Sequence, residues 1–130
     1  MNKEIIAYIV SKTGCIHPFR ISRILALAEI RALEEENKRL TSFVYRGFDK
    51  VFYIEGIKEL VEKDECFRIR EGDPERGIRG CIEYICPPPR LPENVEKYLV
   101  EAITRAKELD DNELNKVVVE HPLFKKLLSS

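Results

Sequence analysis

The side chains best suited to chemistry in this sequence are four cysteines and two histidines: Cys15, Cys66, Cys81, Cys86, His17 and His121. Cys15 and His17 are close enough in the chain to suggest a nucleophile and its base. Residues two positions apart do not face each other on a helix, however, and each histidine precedes a proline, which is typical of a helix boundary. We therefore predict no catalytic residue and no enzymatic activity.

Metal binding by the same side chains would need a recognisable spacing. Zinc sites usually contain paired ligands such as Cys-x2-Cys, whereas the nearest pairs here are Cys15-x-His17 and Cys81-x4-Cys86. The sequence also contains no glycine-rich phosphate loop. It therefore predicts no metal site and no cofactor. We expect buried structural cysteines, with one disulfide as the alternative.

The arginines offer a different chemistry, the binding of phosphate groups. Four of them follow one another closely in the second half of the chain, and two lie at the start of a long apolar-periodic segment. These are the candidate nucleic-acid-binding residues: Arg68, Arg70, Arg76, Arg79, Arg20 and Arg23. The formal net charge of the whole chain is −1, so no overall positive field would draw it to nucleic acid.

The composition indicates one domain with one core, because the chain has 130 residues of which 44% are hydrophobic. Charged residues make up 35% of the chain, glutamine is absent and there is one methionine, a pattern that suggests a hyperthermophile as the source. The apolar runs are too short to span a bilayer, and the first residues lack a secretory cleavage pattern. We expect a cytoplasmic protein with no membrane partner.

The element that must position these residues is a long helix from His17 to Leu40. Apolar residues recur at three- and four-residue steps from Ile21 onward, and they are frequent enough to predict burial on more than one side. A shorter apolar helix, from Lys3 to Lys12, should precede it and end at Gly14. The segment from Thr41 to Lys50 fits either a bent helix or an extended connector.

A third helix followed by a β-hairpin is predicted in the next part of the chain. Residues 51–64 show a helical apolar face, and residues 66–70 and 78–85 alternate as strands do. We expect Phe67 and Ile69 to point inward, with the cross-strand pairs Phe67–Ile82 and Ile69–Gly80. This order of elements is typical of a winged helix. Its recognition helix, residues 53–64, carries more acid than base, which opposes binding to nucleic acid.

The last third of the chain is predicted to be helical. Residues 87–92 are rich in proline and should form an extended connector, and helices should follow from residue 93 to residue 130. The final helix supplies the candidate partner-binding residues, which are Leu123, Phe124, Leu127 and Leu128. The alternative is that these side chains pack back on the long helix.

The order of these segments resembles the Panacea domain, a helical module of antitoxins and phage-associated proteins. The resemblance runs from Ile5 to about Leu127. It rests on four stretches of sequence: the apolar first helix, Ile21-Ser-Arg-Ile-Leu-Ala-Leu-Ala, the Tyr45-Arg-Gly-Phe turn before Ile57-Lys-Glu-Leu-Val, and Asn112-Glu-Leu-Asn-Lys-Val-Val-Val-Glu-His-Pro. It implies neutralisation or regulation through protein contact, without catalytic residues.

Together these observations predict an α+β fold that is mainly helical. A winged-helix-like core with one β-hairpin would span residues 1–86, and the C-terminal helices would pack on it. The leading functional hypothesis is a small, dimeric regulator of transcription that binds duplex DNA through its wing arginines. The alternative is a protein-interaction module, antitoxin-like or an assembly subunit, that binds no nucleic acid.

Overall fold

The computed structural model describes residues 1–48 and 50–129, so Asp49 and Ser130, which fall within two of the predicted segments, lie outside the described residues. The described chain forms helices α1 Asn2–Thr13, α2 Pro18–Glu36, α3 Ile57–Lys63, α4 Glu93–Ala106, α5 Asp111–Val119 and α6 Phe124–Ser129, and strands β1 Val44–Phe48, β2 Val51–Glu55, β3 Phe67–Arg70 and β4 Cys81–Tyr84. The predicted α+β, mainly helical fold is confirmed. Within these described ranges, each helix falls short of the length and apolar character needed to cross a bilayer.

Helix α2 lies at the centre of the molecule, as predicted. It begins after His17, whose Nδ1 accepts a hydrogen bond from the backbone N–H of Phe19 at 3.0 Å, and Pro18 occupies the first helical position. Every residue from 21 to 30 is buried, which confirms that the helix is covered on more than one side. Helix α1 packs beside it and ends at Gly14, also as predicted.

The structure contains one hairpin more than the sequence predicted. The expected helix over residues 51–64 is wrong in its first part, because residues 51–55 form strand β2, which pairs with β1, and only Ile57–Lys63 is helical. Phe52 and Ile54 alternate with exposed residues, which satisfies a strand as well as a helix. Gly56 then adopts a φ of 97°, a left-handed conformation that separates the strand from α3. For residues 41–48, the extended alternative is correct, because strand β1 lies there.

The second hairpin, β3–β4, follows α3 as predicted but in a different register. Phe67 pairs with Tyr84 and Ile69 with Ile82, two residues away from the predicted pairs. The connection between the strands takes up the difference, because it folds into a 3₁₀ turn of its own closed by a bridge between Asp73 and Ile78. Ile69 is also half exposed, so its predicted inward position is wrong.

A short bridge joins this hairpin to the helical core. Ile16, between α1 and α2, pairs with Ile82 of β4 through two backbone hydrogen bonds of 2.8 and 2.9 Å. Ile16 therefore adds a single-residue strand beside β4. Along the chain, α1 and α2, which flank this bridge, are followed by hairpin β1–β2, α3 and hairpin β3–β4.

All four cysteines form disulfides and none of them is buried, so the expectation of buried structural cysteines is wrong. The alternative was one disulfide, and the structure has two. Cys15 is bonded to Cys81 and Cys66 to Cys86, with a Cα–Cα distance of 5.3 Å in each pair. The first bond ties the segment between α1 and α2 to β4. The second closes the base of hairpin β3–β4. Both disulfides therefore hold the same hairpin.

The C-terminal helices complete the core rather than forming a separate surface. Helices α4 and α5 pack against α2, and α6 packs against β1 and α2. Phe124 and Leu127 are buried, while Leu123 and Leu128 are partly buried against the core. The predicted partner-binding role of this helix is therefore corrected, because its apolar residues are covered within the chain itself.

One buried carboxylate organises the segment after α2. Glu29 has no exposed surface, and its oxygens accept hydrogen bonds from Arg39 Nε at 2.8 Å, from the Tyr45 hydroxyl at 2.7 Å and from two backbone N–H groups, those of Leu40 and Thr41. Burial, followed by the charge of Glu29, raises the pKa of Tyr45 well above its usual value, so the hydroxyl stays protonated and donates. Glu29 thus fixes the start of β1 against the central helix.

Candidate functional site

Two of the predicted nucleic-acid-binding arginines, Arg20 and Arg79, share one partner on helix α5, Asp111. Arg20 donates to Asp111 Oδ1 at 2.9 Å and to the backbone carbonyls of Ala106 and Leu109, at the end of α4. Arg79 donates to the other oxygen of Asp111. The hydrogen bond from Arg20, helped by Arg79, lowers the pKa of the Asp111 carboxyl. These arginines tie the second hairpin and α2 to α5.

The remaining wing arginines do not form one positive surface. Arg70 is paired with Glu83 at 2.8 Å and Arg76 with Asp73 at 3.5 Å, so an acid lies beside each base. Arg68 is exposed and lies opposite Glu83 on the paired strand, and it makes no ion pair within the described part of the chain. Of the four arginines predicted to bind phosphate in and beside hairpin β3–β4, only Arg68 therefore lacks an ion pair among the described residues.

Arg23 lies in the interior, not at an exposed helix start as expected. Its side chain is only 5% exposed, and the guanidinium carbon lies 4.0 Å from the ring centroids of both Phe19 and Phe52. Nε donates to Asn115 Oδ1 at 3.0 Å and Nη1 to Ser22 Oγ at 2.9 Å. Burial lowers the pKa of Arg23 to about 10, so the side chain is still charged at neutral pH.

The helix in the recognition position is short and electrically balanced. Helix α3 has 7 residues, Ile57–Lys63, and its charged side chains are Lys58, Glu59, Glu62 and Lys63. At about 1.5 Å per residue it is roughly 10 Å long, less than the recognition helices that read a major groove need for several base contacts. The predicted recognition helix had more acidic than basic residues. The observed helix α3 has equal numbers, because Glu55 and Asp64 lie outside it.

A groove lies between α3, the start of α2 and hairpin β3–β4. Its volume is about 680 Å³. The walls are mainly apolar and include Phe19, Ile57, Val61 and Ile69, and Arg23 is also among the lining residues. Tyr53, on β2, stands at one side of the groove and connects it to the first hairpin. The arrangement can hold an apolar chain beside a buried positive charge.

The outward face of hairpin β1–β2 extends this apolar surface. Phe48 and Val51 are direct cross-strand partners and are 88% and 73% exposed, and Tyr53 on the same face is 59% exposed. Large apolar side chains that are exposed side by side mark an interaction surface more often than single ones do. We call Phe48, Val51 and Tyr53 the hairpin face.

The sequence contains the strand pattern that produces the hairpin face, but the same residues also fit the predicted helix. The stretch from Val51 to Glu55 alternates between exposed and buried residues, so period-two spacing was present beside the period-four spacing. Ile69 was identified as apolar but assigned to the interior. The burial of Arg23 left no comparable signal, because it depends on Phe52 folding over the helix from another part of the chain.

Comparison with known proteins adds no relative: no family model matches the chain, and neither a similar curated protein nor a similar solved structure is found. Across residues 1–48 and 50–129, no three histidine, cysteine or acidic side chains lie close enough to hold a metal ion together. The candidate site is therefore defined by its own geometry, as an apolar groove that continues into the hairpin face.

Proposed function

We propose that this protein is a regulatory protein-interaction module that binds a partner protein through the hairpin face and the adjoining groove. The observation that carries this proposal is the exposure of Phe48, Val51 and Tyr53 together on one face. Covering such a face removes apolar surface from water, at about 25 cal/mol for each Å². Regulation through protein contact is also what the resemblance to the Panacea domain implies.

The hairpin face is held in place before any partner arrives. The side chain of Asn115 on α5 donates to the backbone carbonyl of Lys50 in the turn, and Arg46 is paired with Glu55 across the strands at 2.8 Å. At Gly47, a Cβ atom would come within 2.3 Å of the Val51 carbonyl oxygen, so only glycine allows this close approach of the two strands. A fixed surface loses little conformational entropy on binding.

The charges around the groove also favour a protein partner over nucleic acid. Arg20, Arg70, Arg76 and Arg79 are each paired with an acid of the chain, and α3 is electrically balanced. Phosphate neutralisation by unpaired cations supplies much of the affinity for nucleic acid. Ion-paired rims and apolar centres are instead common in protein interfaces.

The test is partner capture with matched variants. Val51→Asp places a charge in the centre of the hairpin face, and Val100→Asp places the same charge at an exposed valine on α4, outside that face. In cells that naturally make the protein, tagged wild type and Val100→Asp should retain the same co-purifying protein, and Val51→Asp should lose at least about nine-tenths of it. Equal retention by both variants would remove the hairpin face from the proposal.

Duplex DNA binding stays a second candidate because of one observation, the bridge that places Ile16 beside β4 in the order of a winged helix. Arg68, exposed on β3, is the wing residue free to contact a phosphate. This candidate predicts fluorescence-anisotropy binding that weakens steeply as salt rises and weakens further with Arg68→Ala. Binding that resists added salt, or no binding at low salt, would leave the protein partner as the one function proposed.

A further inference from the structure

Arg23 is a buried cation whose partners inside the chain are all neutral. Its guanidinium carbon lies 4.0 Å from the ring centroids of Phe19 and Phe52, and its hydrogen bonds go to the Asn115 amide and the Ser22 hydroxyl. Among the described residues, no carboxylate lies within ion-pair distance of it. Buried charges in proteins are usually paired, because an unpaired charge loses its hydration without compensation.

The nearest acid that influences Arg23 is already occupied. Asp111 acts on Arg23 by its charge, but one carboxylate oxygen accepts from Arg20 and the other from Arg79. Arg23 is one of the residues that line the groove, so a ligand in the groove lies beside it. Its guanidinium has N–H donors on Nη1 and Nη2 beyond the one bonded to Ser22, and they suit a carboxylate, which accepts two parallel hydrogen bonds and matches a single positive charge.

The groove limits what can bring such a carboxylate to Arg23. Its walls are mainly apolar, with Phe19, Val61 and Ile69 among them. Besides Arg23, the charged lining residues are two bases and two acids, which balance one another: Lys58, Arg70, Glu62 and Glu71. Arg23 is 95% covered, so only a slender group can reach it; a glutamate side chain carries its carboxylate at the end of two methylene groups, whereas a chain terminus brings a backbone and a second side chain with it.

We propose that the groove binds an apolar segment of the partner protein whose glutamate side chain pairs with Arg23. This inference rests on the proposed function and names the chemistry of the partner. The partner's apolar residues would lie between α3 and hairpin β3–β4, and its carboxylate would complete the charge that the chain leaves uncompensated. The groove is thus the part of the surface that gives specificity, and the hairpin face adds apolar contact.

Two capped peptides test the inference, acetyl-Leu-Glu-Leu-amide and acetyl-Leu-Gln-Leu-amide, which differ in charge but hardly in shape. We expect the glutamate peptide to shift the backbone amide resonances of groove residues such as Ser22 and Ile57 in ¹⁵N-correlated NMR spectra of the full chain. The glutamine peptide should bind at least tenfold more weakly. The peptide acetyl-Leu-Gln-Leu with a free C-terminal carboxylate should resemble the glutamine peptide, because a terminus reaches Arg23 less well.

Variants separate the roles of charge and fold. Arg23→Met removes the cation, and should abolish the preference for the glutamate peptide if its melting curve shows a folded protein. Because Arg23 is buried, a second variant is needed at an exposed position: Ile69→Asp places a like charge on the groove wall and should reduce binding of the glutamate peptide tenfold or more. Ile85→Asp, at an equally exposed isoleucine outside the groove lining, is the matched control and should bind normally.

Equal binding of the two capped peptides, or no binding of either, would overturn the inference, as would preference for the free C-terminus. None of these outcomes affects the proposed function, because that function is tested at Val51 on the hairpin face. Loss of partner capture on Val51→Asp together with equal peptide binding would keep the protein partner and remove its glutamate.

Discussion

At the scale of single residues, His17 makes the stability of the start of the central helix depend on pH. Burial first, and then the charge of Arg79, lower the pKa of His17, while Asp111 opposes them. The neutral ring is also the one that caps α2, because Nδ1 accepts the hydrogen bond from Phe19. A histidine with a lowered folded-state pKa stabilises the fold above its unfolded pKa of about 6.5, and that contribution is lost as the pH falls towards the folded pKa.

We therefore predict that the free energy of unfolding falls between pH 7 and pH 5 more in the wild type than in His17→Asn. Asparagine keeps a capping oxygen at this position but does not titrate. Urea unfolding at several pH values measures the difference. Parallel pH profiles for the two proteins would show that His17 does not contribute to the pH dependence.

The residue scale also shows where sequence patterns stop being informative. The buried apolar positions of α2 could be predicted from their spacing alone, because helical periodicity is a local property. The partners of Arg20 and Arg23 could not. Asp111 and Asn115 lie about ninety residues further along the chain, and only the packing of α5 against α2 brings them together. Each arginine thus changed from a predicted phosphate contact to an internal tie.

At the scale of elements, hairpin β3–β4 depends on covalent bonds for its stability. Apart from Phe67 and Ile82, its strand residues are exposed or half-buried, so it gains little from apolar burial. Two disulfides hold it instead, and the one from Cys66 to Cys86 closes a segment with a sequence separation of 20. A loop of this length corresponds to about 3 kcal/mol of stabilisation in the chain-entropy description.

Replacing Cys66 and Cys86 together by alanine should therefore lower the free energy of unfolding by about 3 kcal/mol. Hydrogen exchange should accelerate in β3 and β4 well before it does in α2, since the helix keeps its own packing. Urea unfolding and amide exchange measured by mass spectrometry provide the two readouts. An unchanged unfolding free energy, or equal acceleration in α2, would contradict a local role for this bond.

The misassigned elements share one physical cause. Five residues of β2 fit both helical and strand periodicity, and the choice between them is made by β1, which pairs with β2 and covers its polar backbone groups. The register of β3–β4 was wrong by two residues because both registers keep Phe67 on the same face. Local patterns therefore identified where the elements lie better than how they pair.

At the scale of the whole molecule, both ends of the chain cover the core, while the hairpin face is exposed. Helices α4, α5 and α6 pack against α2 and the first hairpin, so the leucines of the last helix are used inside the chain. The outward side of hairpin β1–β2 is exposed at Phe48, Val51 and Tyr53, and Tyr53 also lines the groove beside α3. We therefore propose that a partner protein binds at this surface.

Photo-crosslinking in the cells that naturally make the protein is the most direct test of partner binding at the hairpin face. A benzophenone amino acid replaces Tyr53 on the hairpin face or, as a control, Val100 on α4. We predict that one defined protein is cross-linked from position 53. The same product should be absent from position 100 and should be lost from position 53 when Val51→Asp is added. Identical cross-linked products from both positions, or products from position 53 that persist with Val51→Asp, would contradict it.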